Sequence, residues 1–251
     1  MNQSVALWSV PRSCSTALLL SVEAGGQFSQ VFNEPFGEPF FHGPLRLSTR
    51  YQHEPPNTAY TFDGTMATIE AASQMGTVCF KEMANHVREA LLASDRGKAF
   101  LRNITHHAFI VRHPSIAIVS LARPAHWPDF TLREAGYEEA WRLFEGLQQL
   151  TGRSPVCLDG TILQKDPIGL LSAFFHHLGL PFDSTKLAWT PANPRLFGKW
   201  AHEWYAQASK SRGIEAQQTH AEDEGIRQQP HVQQAIEYHM PFFNRLAEHF
   251  L

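Results

Sequence analysis

The sequence lacks long apolar runs. No stretch approaches the roughly 18 consecutive apolar residues that a membrane-spanning helix needs. The apolar start, residues 4–10, is too short for a signal peptide and ends at Pro11 and Arg12. These absences predict a cytoplasmic chain with no membrane partner.

Closely spaced cysteines are also missing. The three cysteines, Cys14, Cys79 and Cys157, lie far apart and form no C-x-x-C motif, which is typical of a reduced compartment and offers no zinc signature. The fourteen histidines include no H-E-x-x-H motif. We therefore expect no metal site.

The chain has no excess of charge of either sign. Its 21 basic and 24 acidic residues leave a formal charge of −3, which argues against a surface that coats nucleic acid, although a local basic pocket stays open. Fifteen of the basic residues are arginine and six are lysine. Arginine forks suit the recognition of phosphate and carboxylate groups.

What is present is enough apolar material for a sizeable core, at 43% of 251 residues. Short apolar runs alternate with helical patterns. Strands are predicted at residues 5–10, 30–33, 77–81, 108–112 and 155–158, and helices at 16–24, 64–74, 84–93, 114–121, 132–150 and 167–178. This alternation predicts one α/β domain over residues 1–251, with a mostly parallel central sheet and helices on both faces in three layers.

Two stretches interrupt the alternation. Residues 35–63 hold five prolines and six aromatic residues, and predict a long irregular insertion. Residues 206–229 are polar and predict a mobile, lid-like segment. Apolar residues then recur every three or four positions from Val232 to Phe250, which predicts a docking helix that Pro241 kinks or breaks.

The strongest local motif follows the first predicted strand. It places Arg12, Ser13, Cys14, Ser15 and Thr16 in a tight loop before a helix. Backbone N–H groups, the helix N-terminus and an arginine together suit a phosphate, with the serine and threonine capping the helix. The Walker A pattern is absent, and a simple serine-capped helix remains the alternative.

A second arginine motif follows the fourth predicted strand. Arg112 ends that strand, Pro114 suits the first turn of a helix, and Ser120 lies about two turns further on. Arginine and serine could converge on one anion at the carboxyl edge of a parallel sheet. Local pairing of the arginine is the alternative.

Together these motifs resemble the sulfotransferases that use 3′-phosphoadenosine-5′-phosphosulfate (PAPS). The motif P-R-S-x-S-T, the later V-R-H-P-S-I-A-I-V-S and a third segment from Leu158 to Phe182 that ends in L-G-L-P-F occur in the family's order. The resemblance spans about residues 3–183 and implies a P-loop NTPase-like sulfotransferase fold. Residues 184–251 would form the mobile segment and the closing helix.

The resemblance also implies roles for single residues. Arg12 would contact the bridging and sulfuryl oxygens, in a position where many relatives have lysine. The 5′-phosphate would lie on the loop that contains Ser13, Cys14, Ser15 and Thr16. The 3′-phosphate would be bound by Arg112 and Ser120, with Arg212 as a looser match to the family's C-terminal basic-glycine segment.

Sulfuryl transfer needs a base for the acceptor and cations for the leaving group, and no metal is obligatory. We favour Glu34 as the base because it ends the second predicted strand, which should lie near the first. His86 is the rival base, five positions after Lys81. Lys81 matches the family's strand-end lysine, a cation for the transferring group.

The prediction is therefore a PAPS-dependent sulfotransferase that modifies a hydroxyl, or less readily an amine, of a small-molecule acceptor. The aromatic insertion and the loop at residues 127–130 are the expected acceptor walls, and Arg46, Arg50 or Arg123 could bind an acidic acceptor. A nucleotide kinase or hydrolase of P-loop type and a non-catalytic nucleotide-binding module remain alternatives. The sequence leaves the oligomeric state open.

Overall fold

A computed structural model describes residues 2–190, 196–197, 205, 208–216 and 220–251. Its centre is a five-stranded sheet in which every neighbouring pair is parallel. The strands are β1 (Ser4–Ser9), β2 (Gln30–Asn33), β3 (Val78–Met83), β4 (His106–Val111) and β5 (Val156–Asp159), in the spatial order β2-β3-β1-β4-β5. The predicted strands and the parallel sheet are confirmed.

Helices surround this sheet. They are α1 (Ser15–Gly25), α2 (Gly37–His42), α3 (Phe62–Met75), α4 (Ala84–Ala93), α5 (Asp95–Asn103), α6 (Pro114–Leu121), α7 (Leu132–Ala135), α8 (Tyr137–Thr151), α9 (Gly160–Lys165), α10 (Pro167–His177), α11 (Asp223–Arg227) and α12 (Pro230–Ala247). Short 3₁₀ turns lie at Ser184–Lys186 and Ala208–Lys210. None of the helices among the described residues combines the length and the apolar character needed to cross a membrane.

The sheet has an apolar core on each face because successive strand residues point to opposite sides. On β1, Ala6 and Trp8 join the core that includes residues of α4, α8 and α12, whereas Val5 and Leu7 join the core formed with α1 and α10. Truncating a fully buried tryptophan such as Trp8 costs about 3–5 kcal/mol. Two covered faces produce the three predicted layers.

Several local predictions need correction. β2 pairs with β3 and not with β1, so Glu34 lies beside the end of β3. The predicted helix 132–150 is interrupted at Gly136, whose φ of 83° ends α7 and begins α8. The predicted irregular insertion contains α2.

Of the two outcomes predicted for Pro241, a kink or a break, the break does not occur, because α12 continues through this residue. Proline removes the backbone bond to the carbonyl four residues earlier, at Glu237. Both residues lie on the exposed side of the helix, where water can solvate that carbonyl.

The predicted mobile segment falls partly on residues 206–207 and 217–219, which lie outside the described residues. Its described parts include the turn at Ala208–Lys210 and α11.

β1 lies in the middle of the sheet, with β3 and β2 on one side of it and β4 and β5 on the other. The order of the strands therefore reverses next to β1. Ligands of open α/β sheets bind at the carboxyl ends of the strands next to such a point. The fold therefore directs attention to the segments that follow β1, β2, β3 and β4.

Candidate active site

A cavity of about 690 Å³ opens at the carboxyl ends of the strands. This volume lies within the range of small-molecule and cofactor sites. Most of the residues predicted from the sequence line it, namely Arg12, Ser13, Cys14, Ser15, Thr16, Glu34, His86, Arg112 and Ser120. Lys81 and Arg212 are not among the lining residues.

The loop after β1 presents backbone N–H groups to this cavity. Arg12 and Cys14 adopt left-handed conformations, with φ of 62° and 68°. Cys14 occupies the N-cap of α1, and no side chain of the described residues caps the helix, so the predicted capping by Ser15 and Thr16 is wrong. The first N–H groups of the helix are left for another acceptor, which is the usual arrangement of an anion site.

The loop is held against α9 by Gly160. A Cβ atom at this position would lie 2.2 Å from the carbonyl oxygen of Ser13, so only glycine permits the approach. The hydroxyl of Ser13 donates to the carbonyl of Val10 at 2.8 Å, and this bond fixes the turn from within. Ser13 is therefore placed to offer its N–H, rather than its hydroxyl proton, to a ligand.

Arg12 belongs to a cluster of positive charge. Its Nε donates to Ser120 Oγ at 3.1 Å, which joins the two predicted arginine motifs. Burial, the nearby Arg123 and, to a smaller extent, Arg112 lower the pKa of Arg12 to about 10. Although Arg123 is paired with Asp223, a cluster of buried arginines in a cavity is an environment that suits an anion.

Arg112 has a hydrogen-bond donor that the described residues do not use. One terminal nitrogen donates to Gln164 Oε1, but Nε is buried and has no hydrogen-bond partner among the described residues. A buried unpaired donor is costly, and a guanidinium Nε is one prong of the fork that binds phosphate. The hydroxyl of Tyr137 donates to the Arg112 carbonyl and anchors the strand end.

Cys14 is a packing residue in this loop. Burial raises the pKa of the Cys14 thiol, and this outweighs the opposing effect of Arg112 and Arg12. The thiol therefore stays protonated, which does not favour the redox-sensitive role that its helix N-terminal position could suggest.

A second group of charged residues occupies the end of β2 and β3. The fully buried ammonium of Lys81 donates to Glu34 Oε1, and the hydroxyl of Tyr205 donates to the same oxygen at 2.5 Å. Burial raises the pKa of Glu34, but the charges of Lys81 and His86 and the hydrogen bonds from Lys81 and Tyr205 together outweigh burial and hold it below its usual range. Glu34 is thus ionised at neutral pH and has a strained backbone, with φ of 49°.

A Glu–His pair lies next to this group. His86 Nδ1 is 2.8 Å from Glu82 Oε1, and the imidazole stacks on Phe40 with 4.5 Å between ring centroids. Because a carboxylate only accepts, this contact assigns the proton to Nδ1. In a neutral ring Nε2 is then the basic nitrogen, and the pair resembles a carboxylate-oriented base.

Glu34, Glu82 and His86 have potential metal-ligand atoms within 4.8 Å of one another. The oxygens of Glu82 already accept from the backbone N–H groups of Phe36 and Met83 as well as from His86. Lys81 supplies the positive charge beside Glu34. The donor set therefore favours a hydrogen-bonded network over a divalent cation.

Aromatic residues form the wall beside His86. Phe41 packs edge-on against the His86 ring at 5.1 Å, and Tyr51 and Trp127 lie 5.7 and 6.2 Å from Phe41. All three aromatic residues line the cavity, as predicted for the insertion and for the loop at 127–130.

The arginines suggested for an acidic acceptor make other contacts. Arg50 pairs with Glu134 and Asp129 and stacks on Trp127. Arg123 forms two 2.9 Å bonds with Asp223. Arg46 donates to backbone carbonyls of its own loop. These arginines therefore hold the cavity wall together.

Arg212 is exposed and lies outside the lining of the cavity, whereas its neighbours Ser211 and Gly213 line it. Its carbonyl accepts from the N–H of Trp189 at 3.1 Å. Gln164, which also lines the cavity, donates to the Glu215 carbonyl at 2.9 Å and joins this segment to α9.

Sequence reasoning missed Glu82, Gln164 and Tyr205. Glu82 lies in β3 and His86 in the first turn of α4, so the helical four-residue rule does not apply to this pair and no local pattern predicted the contact. Tyr205 stands just before a polar stretch, and no local pattern connects it to Glu34, 171 positions earlier.

The fold and the site define a protein of the P-loop-like α/β class, with a phosphate-type loop and two strand-end arginines but no Walker lysine. The chain belongs to the sulfotransferase domain family, whose model matches residues 3–248. The match extends well beyond residue 183, where the recognisable motifs end.

Curated relatives carry a different description. Branched-chain-amino-acid aminotransferase-like proteins 1 and 2 of Arabidopsis thaliana are 26% and 24% identical to the chain over 217 and 242 residues. The matches cover 82% and 96% of this chain but 36% and 41% of those proteins. The chain therefore spans well under half the length of these relatives.

Two solved sulfotransferase domains are similar to the chain. The sulfotransferase domain of the olefin synthase from Synechococcus PCC 7002 matches with a TM-score of 0.51 at 16% identity and covers 94% of each chain. The sulfotransferase domain from the curacin biosynthetic pathway matches with a TM-score of 0.48 at 18% identity, over 90% of this chain and 96% of that one. The first likeness confirms the predicted sulfotransferase fold.

Proposed function

We propose that the chain transfers the sulfuryl group of PAPS to a hydroxyl of a small-molecule acceptor. The observation that carries this proposal is the buried, unpartnered Nε of Arg112 in a cavity that also contains Arg12. Membership of the sulfotransferase domain family supports the reaction class.

The two arginine motifs suit the two ends of the donor. The loop from Arg12 to Thr16, with the uncapped N-terminus of α1, suits the 5′-phosphosulfate. Arg112 and Ser120 suit the 3′-phosphate, because Arg112 has an unused donor and Ser120 lines the same cavity. When bound, the donor supplies the sulfuryl group and a phosphate leaving group.

The residues of the chain then activate and position the acceptor. Glu34 is the proposed base, since it is ionised, lines the cavity and is more exposed than the fully buried Glu82. His86, oriented by Glu82, is the second group able to take a proton. Lys81 is proposed to act on the transferring group through its pairing with Glu34 rather than by direct contact, because its side chain is fully buried.

The aromatic wall favours an uncharged acceptor. Phe41, Tyr51 and Trp127 offer an apolar surface next to His86, and the arginines nearby are paired with carboxylates or backbone carbonyls. A neutral alcohol with an apolar or aromatic body fits this wall. The three unpaired cysteines support the proposed cytoplasmic location.

The direct test is an assay with ³⁵S-labelled PAPS and a metabolite extract, with mass spectrometry to identify the product. We expect a labelled product that disappears with Arg12→Ala and Arg112→Ala but persists with Arg133→Ala, which removes an exposed arginine paired with Glu89. Magnesium-dependent turnover of ATP without sulfuryl transfer would show a kinase or hydrolase, and donor binding without turnover would show a binding module.

A further inference from the structure

Tyr205 is in direct contact with Glu34, the proposed base. Its hydroxyl donates to Glu34 Oε1 at 2.5 Å, and its ring stacks on Phe197 with 4.6 Å between centroids. The ammonium of Lys81 lies 5.7 Å from the ring centroid. Only 7% of Tyr205 is exposed, so this is a packed position and not a surface contact.

The two oxygens of the Glu34 carboxylate have different environments. Lys81 and Tyr205 both donate to Oε1, and among the described residues Oε2 is the less occupied oxygen of this cavity-lining carboxylate. Two directed bonds to one oxygen also fix the plane of the carboxylate. Burial first, and then the charge of Glu34, keep the pKa of Tyr205 well above its ordinary value, so the phenol remains a donor at neutral pH.

We infer that Tyr205 is a positioning residue that fixes the Glu34 carboxylate, with Oε1 occupied and Oε2 presented to the acceptor. The inference rests on the proposed role of Glu34 as the base. In the step, the acceptor O–H proton passes to Glu34 Oε2 while the acceptor oxygen bonds to sulfur. The bond from sulfur to the bridging oxygen breaks, and its electron pair leaves with the phosphate.

Several charged groups around Glu34 also affect its pKa, and the Tyr205 variant must leave them unchanged. Lys81 and Glu82 face it from β3 and His86 from α4, while Arg12 lies close enough to interact with the phenol of Tyr205. Tyr205→Phe leaves all of these charges and the ring contacts in place. It removes one hydrogen bond to the ionised form of Glu34, so the pKa of Glu34 must rise.

Carbon-13 NMR of protein labelled at the glutamate Cδ measures this directly. Glu34→Asp removes the Glu34 signal while keeping a negative charge beside Lys81, and so assigns it. In Tyr205→Phe we expect the Glu34 titration midpoint to move up by about one pH unit. The matched control is Tyr238→Phe, which removes an exposed hydroxyl that donates to Glu138 at 2.6 Å and should leave Glu34 unchanged.

The kinetic readout is the acid limb of kcat/KM for sulfuryl transfer. We expect Tyr205→Phe to move this limb upward in parallel with the NMR midpoint, with unchanged affinity for 3′-phosphoadenosine-5′-phosphate (PAP). An unmoved midpoint, or an unmoved limb in an active enzyme, overturns the inference. A shifted midpoint in a chain that transfers nothing overturns the proposed function instead, because the NMR titration does not depend on turnover.

Discussion

Lys81 and Glu34 form an ion pair at the carboxyl ends of β3 and β2. The ammonium is fully buried, and the Glu34 side chain, 19% exposed, lies between it and the cavity. The backbone reinforces the pair, since the Glu34 N–H donates to the Lys81 carbonyl at 2.7 Å. Lys81, predicted as a cation for the sulfuryl group, is therefore already paired with a carboxylate.

The first prediction concerns the stability that depends on this pair. Glu34→Gln leaves a buried ammonium without its carboxylate, and such a loss typically costs about 3–5 kcal/mol. The double variant Lys81→Met with Glu34→Gln should cost less, because no uncompensated charge remains. Urea unfolding of the wild type, both single variants and the double variant measures the coupling, and additive costs would contradict it.

The second prediction is the pH dependence of stability. The folded pKa of Glu34 is depressed: burial raises it, but Lys81, His86 and the hydrogen bond from Tyr205 together outweigh burial. Its contribution is therefore fully present above the unfolded carboxyl pKa of about 4.3 and is lost as the pH falls through the folded value. Urea unfolding from pH 6 downward should show this loss in the wild type and less of it in the double variant. Equal slopes in both would exclude Glu34 as the source.

The third prediction separates the two candidate bases. Glu34→Gln should reduce kcat by roughly 10²- to 10⁴-fold, the usual contribution of a positioned base. His86→Asn should reduce it less, and both variants should retain PAP affinity. The assay is run below the unfolding temperature of the less stable variant. Near-normal turnover of Glu34→Gln with a large loss in His86→Asn would transfer the role of base to His86.

Much of the fold was predictable because buried parallel strands leave clear apolar runs. Trp8 and Phe109 lie in such runs, and their strands were located to within a residue or two. The position of β2 was not predictable, because the order of strands depends on packing between distant segments. β3 separates β2 from β1, yet Glu34 and the loop after β1 line the same cavity.

The site was predictable where function depends on local sequence. Arg12 and Arg112 each follow a strand, and the carboxyl ends of parallel strands share one edge, so their convergence follows from the pattern. Tyr205 and Gln164 act through contacts across 171 and 52 positions, which no local period encodes. The pairing of Arg50 with Glu134 likewise depends on how two loops meet.

The fourth prediction concerns the close approach of the phosphate loop to α9. Gly160→Ala forces a Cβ towards the Ser13 carbonyl, which stands 2.2 Å from the ideal position, so the loop must move. We expect PAP affinity to fall and stability to drop by about 1–3 kcal/mol. Gly225→Ala is the control, since no heavy atom other than its own helix backbone and chain neighbours lies within 4 Å of a Cβ there. Unchanged affinity in Gly160→Ala would show that the loop does not bind the donor.

The measurement that tests the account most directly is calorimetric titration of the chain with PAP and with 5′-AMP, which lacks the 3′-phosphate. The account predicts that the wild type binds PAP at least about tenfold more tightly than 5′-AMP, since a hydrogen bond to a charged group contributes about 1.5–3 kcal/mol. Arg112→Ala should remove that preference, while Arg133→Ala keeps it. Absence of PAP binding, or an equal preference in the wild type and Arg112→Ala, would contradict the account.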